Sequence, residues 1–308
     1  KNILSILLIV FLIIIITGSF GFSIILTKYN KEIPNPNKLI ERNIAQSTKI
    51  YDKTGKVLLY EIHGDEKRTI IELENVSKHL INATIAIEDK KFYTHSGFDT
   101  KGIIRAIVKD IIAGKKVQGA STLTQQLVKL SILTTEKSWE RKIKELILSY
   151  KIEQKFEKND ILKMYLNEIP YGSVIYGIES ASQTFFNKSA KDLTIEESAL
   201  LASLPQSPTT LSPYGKYTDR LVSRYKLVLK QMLSEKYISQ EEYNKAIEFN
   251  ILSQIKNSSI GEQITSSGLE TVNNILVKLL VSNYYLEKAI ENPEQFQQTY
   301  NTPSQQKN

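Results

Sequence analysis

From Ile3 to Leu26 the chain carries no charged residue. At about 1.5 Å of rise per residue, a helix of that length crosses the roughly 30 Å hydrocarbon layer of a bilayer. A cleaved signal peptide competes with this reading, but its apolar region is normally about 7 to 15 residues and ends on small residues of A-x-A type. Gly18, Ser19 and Gly21 match that only loosely. Residues 1–28 are therefore expected to be a retained transmembrane anchor. Lys28, Lys31, Lys38 and Arg42 follow the run and only Lys1 precedes it. Taken alone, the positive-inside rule puts the body in the cytoplasm, against the side that the chemistry below requires.

The rest of the 308 residues, with 41% hydrophobic residues overall, suffices for one substantial core. Zero cysteines exclude disulfides and thiolate metal sites. A formal net charge of +7 asks for an anionic partner. No basic stripe interleaved with aromatics is seen, so nucleic acid is not expected; anionic lipid headgroups or a phosphorylated lipid substrate are.

Residues 29–66 read as a stalk with Pro34 and Pro36, then a small hairpin turning at Lys53-Thr54-Gly55. Residues 67–250 form the main domain. Its helical period begins at Leu80, where Leu80, Ile81, Thr84, Ile85 and Ile87 make a stripe ending at Glu88-Asp89. GIIRAIVKDIIAGKK follows, either a core helix or one pressed into the bilayer surface with Lys115 and Lys116 at the headgroups. A helix over 137–156 is expected to turn Trp139, Ile143, Leu146, Ile147 and Tyr150 inward. Thr194-x-x-Glu197 is a capping box opening a helix that stops before Pro205. Two more helices are expected over Arg224–Leu233 and Gln240–Ile247. Residues 251–308 read as an amphipathic helix, Gly268 to Ile290, and a polar disordered tail.

Four polar phrases interrupt this apolar background: Glu88-Asp89-x-x-Phe92-x-x-His95-x-Gly97, Gly119-x-Ser121-Thr122-x-Thr124-Gln125-Gln126, Arg141-Lys142-x-x-Glu145, and Ile161-Leu162-x-x-Tyr165-Leu166-Asn167 with Gly172. Two carboxylates, Glu88 and Glu145, bracket amides, hydroxyls and cations. Such a set suits an activated sugar departing on a phosphate, because a leaving diphosphate needs positive charge rather than a proton donor. A sugar hydroxyl, in turn, needs a general base.

In order and spacing, these phrases resemble the peptidoglycan glycosyltransferase family, the transglycosylase module of class A penicillin-binding proteins and of monofunctional transglycosylases. Tyr176-Gly177 and Leu204-Pro205-Gln206-x-Pro208 extend the resemblance. It departs in two places: Tyr225 follows Arg224 where the family has paired arginines, and Leu130 replaces the asparagine usual after Lys129. The resemblance implies a mainly α, lysozyme-like glycosyltransferase domain with a small membrane-facing jaw, around Ile103 to Leu133, behind one N-terminal transmembrane helix. The implied activity is polymerisation of lipid II into glycan strands at the extracytoplasmic face of the bacterial cytoplasmic membrane, by a single-pass protein.

In that scheme Glu88 is the general base, and Glu145 is either a structural counter-ion to the cations or, the favoured reading, a second active carboxylate. Glu145 would hold a cation or a divalent metal, Mg or Mn, near the diphosphate. Lys129, Lys137, Arg141 and Lys142 would face the diphosphate. Ser121, Thr122, Gln125 and Gln126 would bond sugar or phosphate oxygens, though Thr122 could equally cap a helix. Asp89 and His95 are further substrate-side candidates, Asp89 alternatively orienting His95 or capping a turn. Asn167 reads as a tie to a neighbouring loop. Expected partners are lipid II, the nascent glycan strand, membrane lipids, and cell-wall synthesis or division proteins.

Two rivals stand beside this. A lysozyme-like hydrolase would use the same pair of carboxylates but gains little from clustered cations. A non-catalytic, membrane-tethered cell-wall scaffold would need neither carboxylate. A penicillin-binding transpeptidase would carry Ser-x-x-Lys, Ser-x-Asn and Lys-Thr-Gly in that order. Ser253-x-x-Lys256 and Ser223-x-x-Lys226 match only the first of these, and Lys53-Thr54-Gly55 lies upstream. The chain thus reads as monofunctional or as part of a longer protein.

Overall fold

The computed structural model describes residues 12–13, 16–17, 27–29, 32–41, 44–51, 53–54, 58–100, 102–105, 121–133, 138–172 and 174–256. The chain divides after Lys256, and everything described belongs to the unit Lys1–Lys256. Among the described residues no helix is long and apolar enough to cross a membrane. Most of the expected anchor, residues 106–120 of the jaw including Lys115 and Lys116, and the amphipathic tail helix lie outside the described residues.

Strands β1 (Thr48–Tyr51) and β2 (Leu58–Ile62) pair antiparallel, with Thr48 opposite Ile62 and an irregularity between Ile50 and Tyr51. Two short strands, β3 (Lys67–Arg68) and β4 (Ile175–Tyr176), pair in parallel. Arg68, 2% exposed, bonds the Asn167 carbonyl and Glu168 at 2.8 Å and Glu66 at 2.7 Å. Asn167 pins the next stretch. Its side chain accepts from the Ile71 amide at 3.0 Å and donates to the Ile71 carbonyl at 2.9 Å, satisfying two backbone groups that a strand would otherwise have served.

The body is helical: α1 (Lys78–Glu88), α2 (Leu123–Ser131), α3 (Trp139–Lys155), α4 (Lys158–Glu168), α5 (Ile178–Phe186), α6 (Ile195–Ser203), α7 (Thr218–Ser234) and α8 (Gln240–Glu248). Helix α6 opens on the Thr194/Glu197 capping box. It is buried without a break from Glu197 to Ser203, as a helix at the centre of a core must be. It packs on α1 and α7, which also pack on each other, while α2 packs on α3 and α4. Helix α1 thus belongs to one helical group and α2 to the other, and the end of α1 meets the start of α2.

Helix α3 does not face as its apolar pattern predicts. Trp139 is 87% exposed and Tyr150 47%, whereas the buried face is Glu145, Leu148, Ser149 and Ile152. That face is invisible to a hydropathy count because its polar members are satisfied internally. Glu145 is ion-paired, and the Ser149 hydroxyl donates to the Glu145 carbonyl at 2.6 Å.

Helix α7 starts six residues before the expected Arg224, and Leu221, Tyr225, Val228, Leu229 and Met232 line its buried side. The departure at Tyr225 has a structural account: its ring fills the core and its hydroxyl donates to the Ala246 carbonyl of α8 at 2.6 Å. Tyr225→Phe is therefore expected to lower unfolding free energy by about 1 kcal/mol, the net worth of one buried hydrogen bond, measured by denaturant titration. Leu130, the other departure, is 38% exposed on α2. Residues 251–256, expected to open the tail, pack on the body instead. Ile251 is buried, and Lys256 exchanges backbone and side-chain bonds with Phe185 and Tyr214.

Candidate active site

Helix α1 ends at Glu88, 12% exposed, where both carboxylate oxygens find donors. Gln126 Nε2 of α2 donates to one at 2.7 Å, and Arg224 Nη2 of α7 to the other at 3.1 Å. The Tyr165 hydroxyl donates to Gln126 Oε1 at 3.5 Å, which orients the amide so that its nitrogen faces Glu88. Burial pushes the hydroxyls of Tyr165 and Tyr171 well above the ordinary tyrosine range, and the charge on Glu88 adds to both. The apolar seat expected for Glu88 is in fact a seat of fixed donors. Arg224, Tyr165 and Tyr171 were not among the site residues expected from sequence. The paired-arginine position of the resemblance marks Arg224 without giving it a partner, and the apolar period of α7, extended backward, would have put it on the helix rather than at its start.

Glu145 lies on the inner face of α3, 3% exposed. Lys142 Nζ is 2.8 Å from Oε2 and also donates to Ser121 Oγ at 2.9 Å. Arg141 Nε is 3.1 Å from Oε1, an ion pair whose angle misses that of a hydrogen bond. The i,i+4 and i,i+3 spacing of these cations from Glu145 puts them on one side of the helix. A divalent metal needs several converging oxygen ligands. Here each oxygen of Glu145 faces a cation, and among the described residues no group of three or more His, Cys, Asp or Glu could hold a metal. The donor set does not fit a metal at Glu145.

Lys129, near the end of α2, connects the two carboxylates. Its ammonium is pulled below the usual lysine value, first by desolvation on burial. Glu145 opposes that, Arg141 and Lys142 add to it, and Glu88 opposes it. The residue as a whole is exposed. Glu88 and the Arg141/Lys142/Glu145 cluster therefore act on one side chain and share one region.

The other expected residues divide. Ser121 sits in the cation cluster through Lys142. Thr122 and Gln125 are buried in a reciprocal capping box at the start of α2, and the Thr122 hydroxyl donates to the Gly97 carbonyl at 2.7 Å. Gln125 Nε2 is left buried without a hydrogen-bond partner. Asp89 is also buried, and His95 is half-buried with its ring turned inward. Asp89 Oδ2 takes His95 Nε2 at 2.8 Å and the Leu123 amide at 3.0 Å. Gly97 adopts φ +95 against the backbone of α3, where a Cβ would stand 2.8 Å from the Ser149 carbonyl, so both its conformation and its contact require glycine. Lys137 lies outside the described residues.

Comparison with known proteins bears on this arrangement. The transglycosylase family model matches residues 55–233. Penicillin-binding protein 1A of Aquifex aeolicus is 41% identical over 234 residues, covering 76% of this chain and 32% of that protein. Penicillin-binding protein 1A of Clostridium tetani is 42% identical over 214 residues, covering 67% and 27%. The crystal structure of penicillin-binding protein 1A from Haemophilus influenzae is 28% identical, covering 68% of this chain and 21% of that one, with a TM-score of 0.38. The chain thus spans less than a third of the length of either curated relative. Every side chain placed above, from Glu88 through the α3 cations to Arg224, falls inside the matched segment, and the chain belongs to the transglycosylase family.

Proposed function

We propose that the chain is a peptidoglycan glycosyltransferase that polymerises lipid II into β-1,4-linked strands and releases undecaprenyl diphosphate. The observation that carries this is that α2 and the turn before it meet both carboxylates, Gln126 holding Glu88 and Ser121 holding the Lys142 that pairs with Glu145, with Lys129 of the same helix in the field of both. Lipid II joins its disaccharide to the carrier through an α-anomeric diphosphate. A β link therefore requires inversion by in-line attack of the acceptor 4-hydroxyl. Its oxygen bonds the anomeric carbon, its proton passes to Glu88, and the breaking carbon–oxygen bond leaves its electron pair on the diphosphate. General-base assistance of this kind is worth about 10² to 10⁴ in rate.

Lys129, Arg141 and Lys142 stabilise the departing charge, and Glu145 holds Arg141 and Lys142 in place beneath it. Ser121, through Lys142, completes that wall. Gln126 and Arg224 hold the base, while Asp89, His95, Thr122 and Gln125 fix the backbone around it. The segment 1–28, charge-free from Ile3 to Leu26, anchors the enzyme in the cytoplasmic membrane with the body on the outer face, where its lipid-linked substrate is presented. The jaw around residues 103–133 lies at that membrane.

The test is to give purified protein either lipid II or finished peptidoglycan. Polymer from the first is expected. Fragments from the second, with no polymer from the first, would replace this reading with a hydrolase.

A further inference from the structure

Next to Glu88 runs a chain of charge whose far members, Glu153 and Lys158, have no part in the mechanism above. His95, 7% exposed at its side chain, sits between two carboxylates. Nε2 is 2.8 Å from Asp89 Oδ2 and Nδ1 is 3.7 Å from Glu153 Oε1. Glu153, on α3, is 2% exposed at its side chain and holds Lys158 Nζ at 2.6 Å. It also accepts from the Thr124 hydroxyl on α2. Lys158, the first residue of α4, lies over the Phe92 ring at 4.6 Å. The titratable groups facing His95 are thus Asp89 from its own loop, Glu153 from α3 and Lys158 from α4.

This chain controls the joint between α1 and α2. Asp89 follows Glu88 directly, and the oxygen that holds His95 also holds the Leu123 amide at the start of α2. One turn on, Gln126 reaches Glu88. The register of that last contact depends on Asp89 staying bound to α2.

We propose that Glu153 is a positioning residue for the candidate base: through His95 and Asp89 it sets the junction of α1 with α2 on which the Glu88–Gln126 contact depends. The inference rests on the functional reading above and deepens it. Two states of the ring compete. A neutral ring accepts the Gly97 amide on Nδ1, at 3.2 Å, while a charged ring turns a proton on Nδ1 toward Glu153. Coulomb attraction to two buried carboxylates acts at 3.7 Å without hydrogen-bond geometry, and it favours the charged ring.

Burial alone would lower the His95 pKa, but the bond to Asp89 and then the attraction of Glu153 outweigh it and raise it to about 9, with Lys158 opposing. Burial likewise pushes Glu153 up, and His95, Lys158 and Thr124 together hold it below its usual value. The signs follow. A raised histidine contributes stability that is complete below its ordinary value of 6.5 and is lost as pH climbs through about 9. The lowered Glu153 contributes stability present above its ordinary value and lost as pH falls.

The experiment follows the His95 ring resonances by NMR against pH in the wild type and in Glu153→Gln, with lipid II kinetics on both and on Glu153→Asp. His63 and His79 serve as internal references. The expected midpoint for His95 is near pH 9 in the wild type and clearly lower in Glu153→Gln. At pH 8, kcat should fall roughly tenfold in Glu153→Gln, on the scale of a small misplacement of a reacting group, with KM unchanged. At pH 6 the loss should be smaller, and Glu153→Asp should recover most of the rate. A wild-type midpoint near 6.5, or an equal kcat loss at both pH values, overturns the proposal. The wild-type titration decides even if the glutamine variant does not fold. Absence of polymerisation by wild-type protein would instead count against the glycosyltransferase reading, and the NMR titration would stand apart from it.

Discussion

Glu88→Gln should cut glycan polymerisation by about 10² to 10⁴, the contribution of a general base, while the protein binds lipid II and unfolds much as the wild type does. The amide keeps the size of the carboxyl and can still accept from Arg224, so the packing at the end of α1 should survive. What it cannot do is take a proton. Strand length analysis after gel separation, beside a binding measurement with a non-reacting lipid II analogue, separates the two effects. Undiminished polymerisation would transfer the base role elsewhere. Unaltered cell-wall function with no polymerisation in either protein would favour the scaffold.

The second large effect is expected at Lys129. Lys129→Met removes one cation from the region between the two carboxylates and should reduce kcat by about 10² to 10³, the usual loss when one fixed donor to a developing anion is deleted. The residue is exposed, and among the described residues it makes no ion pair, so the substitution leaves little behind to destabilise. Methionine retains the length and apolar character of the stem. Single-turnover rates at saturating lipid II provide the measurement. A change in KM alone would mean that Lys129 grips the diphosphate equally before and during its departure, which confers no acceleration.

What the sequence reveals depends on distance along the chain. The capping box at Thr194/Glu197 is local, and the helix it opens runs close to its expected limits, as does the one expected over Gln240–Ile247. The tie made by Asn167 could be anticipated because an asparagine after an inward apolar stripe must find backbone partners. Helix α3 misleads because its buried face carries Glu145 and Ser149, whose partners neutralise them, while its more apolar side carries exposed Trp139 and Tyr150. Period gives the axis of amphipathicity but not its sign once a charged cluster occupies the interior. The Arg224–Glu88 pair spans 136 positions, and the Glu153–His95 pair joins a helix to a loop of a different motif. No local rule links such residues; only the packing of α7 on α1, and of α3 on α2, brings them together.

The double tether on Glu88 has a bearing on regiochemistry. A carboxylate offers about four lone-pair directions, and Gln126 and Arg224 each occupy one. The hydroxyls around a sugar ring differ little in acidity, so an unrestrained acceptor could deprotonate several of them. Fixing the plane of the carboxyl from two sides narrows the angle from which an alcohol can approach. The choice of which oxygen on the saccharide becomes the new bridge would then be made by an amide and a guanidinium that never touch the bond being formed.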